Sequence, residues 1–328
     1  MTAGRTGVTI AASALAALAG RYATARRGAD RTWAARVAPR LRDLGEVNDV
    51  TILPLVERLT GTGRAGAEAL RGEPGLSYLI RAGDVRLLFD AGLNLRRGSR
   101  SLLLDNASVL GVEPLSVDAV VISHLHADHV GGARAMRRRT FDLSPDPAET
   151  PRVPAFVPTD MRHLRAEVVR TTAPHVVAPG VAVLPPLPAV LFALGPVSEQ
   201  ALVINVRGFG LVVVTGCGHP PMERILGVTE EVLDVPIRAV VGGMHLPVHP
   251  LGTPLLPQAL LGNPHWPWQP IGERDAMEVI EQIRARGPRV VAVSGHDSTP
   301  WTFRAFEQAF GDGYRTLRVG EELRIPPA

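Results

Sequence analysis

The feature that most restricts this chain is the stretch Ser123-His124-Leu125-His126-Ala127-Asp128-His129, which follows directly on the apolar run Ala119-Val120-Val121-Ile122. Three imidazoles and a carboxylate crowd the end of a predicted buried strand. In extended backbone successive side chains alternate, so His124 and His126 share a side and can grip one ion. A turn through Asp128 and His129 then offers an oxygen and a nitrogen to a second ion nearby. Imidazole with carboxylate suits zinc first, with iron or manganese as alternatives. A chance cluster on a surface loop would not explain the leading strand, the spacing or the Gly131-Gly132 pair that follows.

At 328 residues the chain can bury a large core, in one big domain or two ordinary ones. With 45% hydrophobic and 20% charged residues and no repeat, it reads as globular, which excludes disordered and fibrous classes. The formal net charge is only +3, and every basic residue is arginine. Arginines cluster over residues 21–42 and at Arg137, Arg138 and Arg139, and they read as solvated helix faces before they read as a surface for an anionic partner. There is no nucleic-acid module, so a small-molecule substrate is expected and no nucleic-acid partner. Cys217 is the only cysteine, which rules out an intramolecular disulfide and favours a reducing, cytoplasmic compartment.

Residues 1–48 read as an Ala- and Arg-rich helical extension, with Gly28 and Pro39 as breakers. Its apolar run, residues 7–20, falls short of the roughly 20 residues that span a bilayer. A packing or surface helix is the first reading, a membrane anchor the second and a cleaved export signal the third. Beyond Asp49 the pattern turns to β. Strands are predicted at 50–53 and 76–80, the latter pairing with 85–89 across the Ala82-Gly83-Asp84 turn. A helix is predicted over 100–110, and a hairpin over 201–206 and 211–214. Buried strands at 239–241 and 290–293 flank a predicted helix at 275–286. Hairpins first, then strands alternating with helices, give a mixed α/β sandwich. The Pro-rich residues 246–270 exceed an ordinary connection and read as a functional loop or a disordered one. Within them, Trp266 and Trp268 either wall a substrate pocket or pack the loop onto the domain or a partner subunit. His163, His175, His249 and His265 have no comparable context and read as ordinary exposed histidines.

Read as HLHADHVGG, His124 to Gly132 resembles the HxHxDH signature of the metallo-β-lactamase superfamily, and the resemblance extends over most of residues 49–328. It implies one catalytic domain there, a four-layer αββα sandwich with two divalent metals at one edge of its two sheets. Leu87-Leu88-Phe89-Asp90-Ala91-Gly92 resembles an early motif in which the Asp orients metal ligands by hydrogen bonds; alone, Asp90 would read as a turn residue. Gly75-Leu76-Ser77, Thr215-Gly216-Cys217-Gly218-His219, Gly242-Gly243-Met244-His245-Leu246 and Ser294-Gly295-His296 together resemble dihydropterin ribofuranosylaminobenzene-phosphate synthase-like proteins. Two departures bear on the substrate. That subgroup has Gly-His-Tyr-Asp-His where this chain has Leu125 to His129, and His-Cys-Thr-Gly where this chain has His296-Asp297-Ser298-Thr299.

The resemblance implies His124, His126 and His219 around one ion, with Asp128, His129 and His296 around the other. Cys217 stands where many wider relatives place a bridging Asp; it reads equally as a thiolate ligand or a small buried side chain. Hydroxide held between the ions would attack a carbonyl or phosphorus, with Asp128 acting through its ion. His245 would protonate the leaving group or hold an oxyanion. The implied substrate is an ester, phosphodiester or lactone, phosphate-bearing or pterin-like. The rival readings are a di-iron redox protein and a non-catalytic binding module on the same fold.

Overall fold

Alternating apolar residues build two large sheets. A computed structural model of the chain describes residues 3–62, 66–96 and 100–325, with side chains from residue 16 onward. The first sheet contains β1 (Val50–Val56), β2 (Ser77–Ala82), β3 (Val85–Phe89), β4 (Ala119–Val121), β5 (Pro154–Val157) and β6 (Glu167–Arg170). The chain then crosses to the second sheet through β7 (His175–Ala178) and β8 (Val181–Val183), with a separate hairpin of β9 (Leu187–Leu191) and β10 (Gly195–Glu199). The second sheet continues with β11 (Leu202–Val206), β12 (Gly210–Thr215), β13 (Ile237–Gly242), β14 (Val290–Val293) and β15 (Tyr314–Thr316). Finally β16 (Leu323–Ile325) returns to pair with β1. The spatial orders are β16-β1-β2-β3-β4-β5-β6 and β15-β14-β13-β12-β11-β8-β7.

The strands alternate in both sheets, and both faces are buried. In β12, Val212 and Val214 point into the core between the sheets, whereas Leu211 and Val213 point outward to helices. In β3, Leu87 and Phe89 join that same central core while Leu88 faces the other way. The outer face of the first sheet is covered by α2 (Leu102–Leu110) and α3 (Ala133–Arg138), and that of the second by α4 (Met222–Val232), α6 (Glu273–Arg284) and α7 (Pro300–Phe310). Helix, sheet, sheet, helix is the expected four-layer sandwich.

Strands β3 to β6 are parallel to one another, and so are β12 to β15. Side chains that follow the carboxyl ends of these strands meet at one edge, where open α/β sheets bind ligands.

Two sequence expectations need adjustment. Helix α1 (Ala3–Ala35) runs through Gly28 without a break, because a single helix-interior glycine costs only about 1 kcal/mol relative to Ala. The Pro-rich stretch is an ordered connection that contains the short helix α5 (Leu256–Leu261). No helix among the described residues is long and apolar enough to cross a membrane.

Candidate metal centre

The histidine cluster begins where β4 ends. His124 and His129 are fully buried, and His126 and Asp128 are partly exposed in the turn that follows. Beneath them lies Asp90, just after β3, with a left-handed φ of 62°. Its carboxylate accepts the Ser123 N–H (2.6 Å), the Ser123 hydroxyl (2.6 Å) and the His129 Nδ1–H (2.7 Å). The Ser123 oxygen lies 2.9 Å from His124 Nδ1. Since its hydroxyl proton goes to Asp90, it accepts the Nδ1 proton of His124. In both rings this fixes the proton on Nδ1 and aims Nε2 at the cluster as a ligand atom.

The second sheet supplies the other half. Cys217 and His219 follow β12, His245 follows β13, and His296 and Asp297 follow β14; all are buried. Here a second relay repeats the logic of the first. Glu57, fully buried after β1, accepts the Tyr78 hydroxyl (2.7 Å), the Gly295 N–H (3.0 Å) and the Ser294 hydroxyl. Ser294 Oγ lies 2.6 Å from His296 Nδ1, so His296 also turns its Nε2 toward the cluster. The buried Glu199 carboxylate takes three successive N–H groups, from Cys217 (3.0 Å), Gly218 (2.8 Å) and His219 (2.9 Å). That pins the loop carrying the expected ligand His219 and the candidate Cys217. Gly216 allows the halves to meet, since a Cβ there would fall 2.1 Å from Ser123 Oγ.

The structure thus brings all six expected ligands and Cys217 into one cluster. His126 Nδ1 and His219 Nε2 are 3.1 Å apart, and Cys217 Sγ lies 3.1 Å from His129 Nε2 and 3.2 Å from His296 Nε2. Donor atoms of Asp128, His129, Cys217 and His296 all lie within 4.8 Å of one another, as do those of His124, His126 and Asp128, and of His124, Cys217 and His219. His124, Asp128 and Cys217 each belong to two of these groups, so the groups are joined into one cluster.

This donor set fits metal ions. His124 Nε2, His219 Nδ1 and His245 Nδ1 are buried without a hydrogen-bond partner among the described residues, a costly state for polar atoms unless something else binds them. Burial, reinforced by neighbouring imidazoles, holds His124, His219 and His296 well below their ordinary pKa. Burial also pushes His126 and His245 down to about 4. At neutral pH these rings are uncharged and their lone pairs are free. His129 differs: burial opposes its charge, but Asp128 and Asp90 outweigh that and raise it to about 9. Burial lifts the Cys217 thiol well above its usual range.

With this geometry in place, the comparison with known proteins is direct. The family model of the metallo-β-lactamase superfamily matches residues 70–296. The chain belongs to that superfamily. Among its relatives, the 7,8-dihydropterin-6-methyl-4-(β-D-ribofuranosyl)-aminobenzene-5'-phosphate synthase of Methanocaldococcus jannaschii is 22% identical over 246 residues, 63% of this chain and 81% of the synthase. The ribonuclease Z of Mycobacterium avium is 35% identical over 95 residues, which is 28% of this chain and 30% of that protein. A solved metal-dependent hydrolase of the β-lactamase superfamily shares the fold, with a TM-score of 0.57 at 20% identity over 84% of this chain and 99% of its own.

Beside the cluster of this superfamily member opens a cleft of about 290 Å³, lined by His219, His245, Met222, Val190 and Arg224 among others. His245, at a left-handed φ of 49°, has its Nε2 2.7 Å from the Gly262 carbonyl. The ring proton therefore sits on Nε2 and is spent on that carbonyl, and the partnerless Nδ1 carries a lone pair. Gly262 permits this contact, because a Cβ there would lie 2.5 Å from the His245 ring. The Asp297 carboxylate fixes the backbone of the same residue, accepting the His245 N–H at 2.8 Å.

Trp266 and Trp268 do not line the cleft. They stack on each other, and Trp266 packs against Tyr22 and Phe192. The Pro-rich segment borders the cleft instead through Leu246, Pro264 and His265, so His265 has more context than its sequence neighbours suggested. Glu57, Glu199 and Asp297 were not singled out from the sequence. Only Asp297 left a trace there, as the residue that replaces a Cys next to His296.

Proposed function

We propose that this chain is a metal-dependent hydrolase of a small-molecule ester, phosphodiester or lactone, with two divalent ions, zinc foremost, as cofactors. The observation that carries the reading is the cluster of buried, mostly uncharged imidazoles whose donor atoms, in overlapping groups with those of Asp128 and Cys217, lie within 4.8 Å of one another, with the His124 Nε2 and His219 Nδ1 left without partners among the described residues. Lone pairs packed this closely repel unless a cation lies among them. His124, His126 and His219 would hold one ion, and Asp128, His129 and His296 the other. Cys217 would lie between them, in the position its short contacts with His129 and His296 support.

When bound, such ions supply Lewis acidity and make water a nucleophile near neutral pH. The protein's own contribution is preorganisation. Asp90 and Glu57, each acting through a serine, fix ring tautomers and orientations, and Glu199 locks the loop that presents Cys217 and His219. With its proton spent on Gly262 and its pKa lowered by burial, His245 serves better as a lone-pair donor to an ion or a substrate proton than as an acid for the leaving group.

Resemblance to the archaeal synthase supports a phosphate-bearing or pterin-like substrate. The single cysteine favours a reducing, cytoplasmic compartment. The test is elemental measurement on protein purified without chelator, followed by assay against chromogenic phosphodiester, lactone and β-lactam substrates. The expected result is about two zinc ions per chain and turnover of at least one substrate that chelator abolishes. Protein that takes up no metal even on reconstitution would overturn the proposal. Iron with a reversible redox signal and no hydrolysis would favour the redox reading.

A further inference from the structure

The N-terminal helix precedes the region matched by the family model, yet it is fastened to the molecule on both sides of the cleft. On one side Tyr22, 3% exposed, gives its hydroxyl proton to the Pro264 carbonyl and packs on Phe192 and Trp266 at ring distances of 5.3 and 5.0 Å. On the other, Asp30 pairs with Arg224 of α4 at 3.2 Å, and Arg36 with Glu231 at 2.5 Å. Between these the guanidinium groups of Arg36 and Arg224 both lie over the Trp33 ring, 3.3 and 4.8 Å from its centroid. Tyr22, Arg26, Ala29 and Trp33 recur at helical spacing, with Arg36 just past the helix end, so one stripe of α1 faces the domain. Between the two anchor points Arg26 and Ala29, together with the anchor residue Asp30, line the same cleft as His219 and His245.

The charges on this wall are not equivalent. Asp30 is matched by Arg224, and the His265 ring lies 3.8 Å from Asp275. Arg26 donates to the Tyr22 hydroxyl at 2.8 Å and has no carboxylate partner within salt-bridge distance among the described residues. Beside it the cleft is walled by Ala29, Val190, Met222, Leu246 and Ile271, with the Glu278 carboxylate also on its lining and not within salt-bridge distance of Arg26. An unmatched guanidinium over apolar walls suits a ligand with an apolar, ring-sized body and an anionic group.

We infer that α1 is the outer wall of the substrate cleft, and that Arg26 is a specificity-determining residue that grips an anionic substituent on an apolar or aromatic substrate. This deepens the hydrolase reading and rests on it only for the word substrate, because the cleft and its wall stand whether or not the protein turns over a bond. Arg26 acts on binding and touches no metal ligand.

The test uses the full-length, zinc-loaded chain and two fluorescent probes, the aromatic sulfonate 8-anilinonaphthalene-1-sulfonate and its uncharged analogue N-phenyl-1-naphthylamine. Ala29→Trp fills the cleft from the helix side and should weaken both probes. Arg26→Ala should weaken the sulfonate about tenfold, the loss of one charge-assisted contact, and leave the neutral probe unchanged. Metal content and the thermal melt, recorded on the same samples, should match the wild type. Equal affinity of both variants for both probes would overturn the inference. So would a loss of the neutral probe in Arg26→Ala at unchanged metal content, since that would make the residue structural. Assay of the chromogenic phosphodiester, lactone and β-lactam substrates on these samples separates the two proposals: no turnover of any of them with the expected probe pattern retires the hydrolase reading and leaves the cleft wall standing.

Discussion

The two halves of the candidate metal centre are built by the same device from very different stretches of chain. In the half carried by the first sheet, His124, His126, Asp128 and His129 come from one turn, and their supporting carboxylate, Asp90, touches both the serine relay and His129 directly. In the half carried by the second sheet, Cys217, His219, His245 and His296 come from the ends of three strands, and Glu57 reaches His296 only through Ser294. The first half is a local motif with a local brace. The second exists only through tertiary structure. The halves should therefore tolerate damage differently, and substitutions can show whether they do.

The largest effect is expected in the compact half. Asp128→Asn replaces an anionic donor shared between ligand groups with a weakly coordinating amide. Turnover should fall by more than the roughly 10–100-fold that an outer hydrogen-bond partner is worth, with one of two ions lost and the melt retained. Full activity with both ions bound would remove Asp128 from the site.

Next comes the contrast between the braces. Asp90→Asn disturbs three contacts and two rings, so metal affinity should drop toward a hundredfold, whereas Glu57→Gln should cost about tenfold. Burial has already pushed the Glu57 carboxyl up to about 7, so near neutral pH the native residue is in part uncharged, which the amide imitates. Zinc affinities measured by competition with a chromogenic chelator would decide this, and equal losses would erase the distinction.

The smallest effect concerns protons. Metal uptake must displace a proton from His129, raised to about 9, and one from Cys217 if its thiol binds. Below pH 9 the apparent affinity should therefore fall as pH falls, by about tenfold per unit for each proton displaced. Calorimetry in buffers of different ionisation enthalpy should count about one proton fewer for Cys217→Ser. An unchanged count would make Cys217 a packing residue.

The same contrast explains what could be read in advance. The Ser123 to His129 turn was legible because its ligands lie within a few residues and a strand leads into them. His219 and His296 were legible more weakly, as single histidines after strand and glycine. Glu57 gave no sign, because its partners Ser294 and Gly295 are more than two hundred residues away. Glu199 was equally silent, ending a strand of the β9–β10 hairpin that no apolar alternation announced. Short strands such as β6 and β7, with exposed positions in both, owe their conformation to neighbours in the sheet rather than to their own pattern. For α1 the helix was evident from composition. Its contact with the cleft was not, since that depends on where Pro264 and Arg224 lie in space.

Placing the ligands on the carboxyl ends of strands from both sheets also has a consequence for biogenesis. His124 emerges from the ribosome long before His296, and the two cannot share a cluster until the sheets have closed on their common core. The late contacts are non-local, which makes such closure slow. A half-folded chain therefore carries only partial donor sets, and the complete set exists only in the finished fold. Loading after closure would add to the stability of the native state alone, by mass action with the free ion concentration.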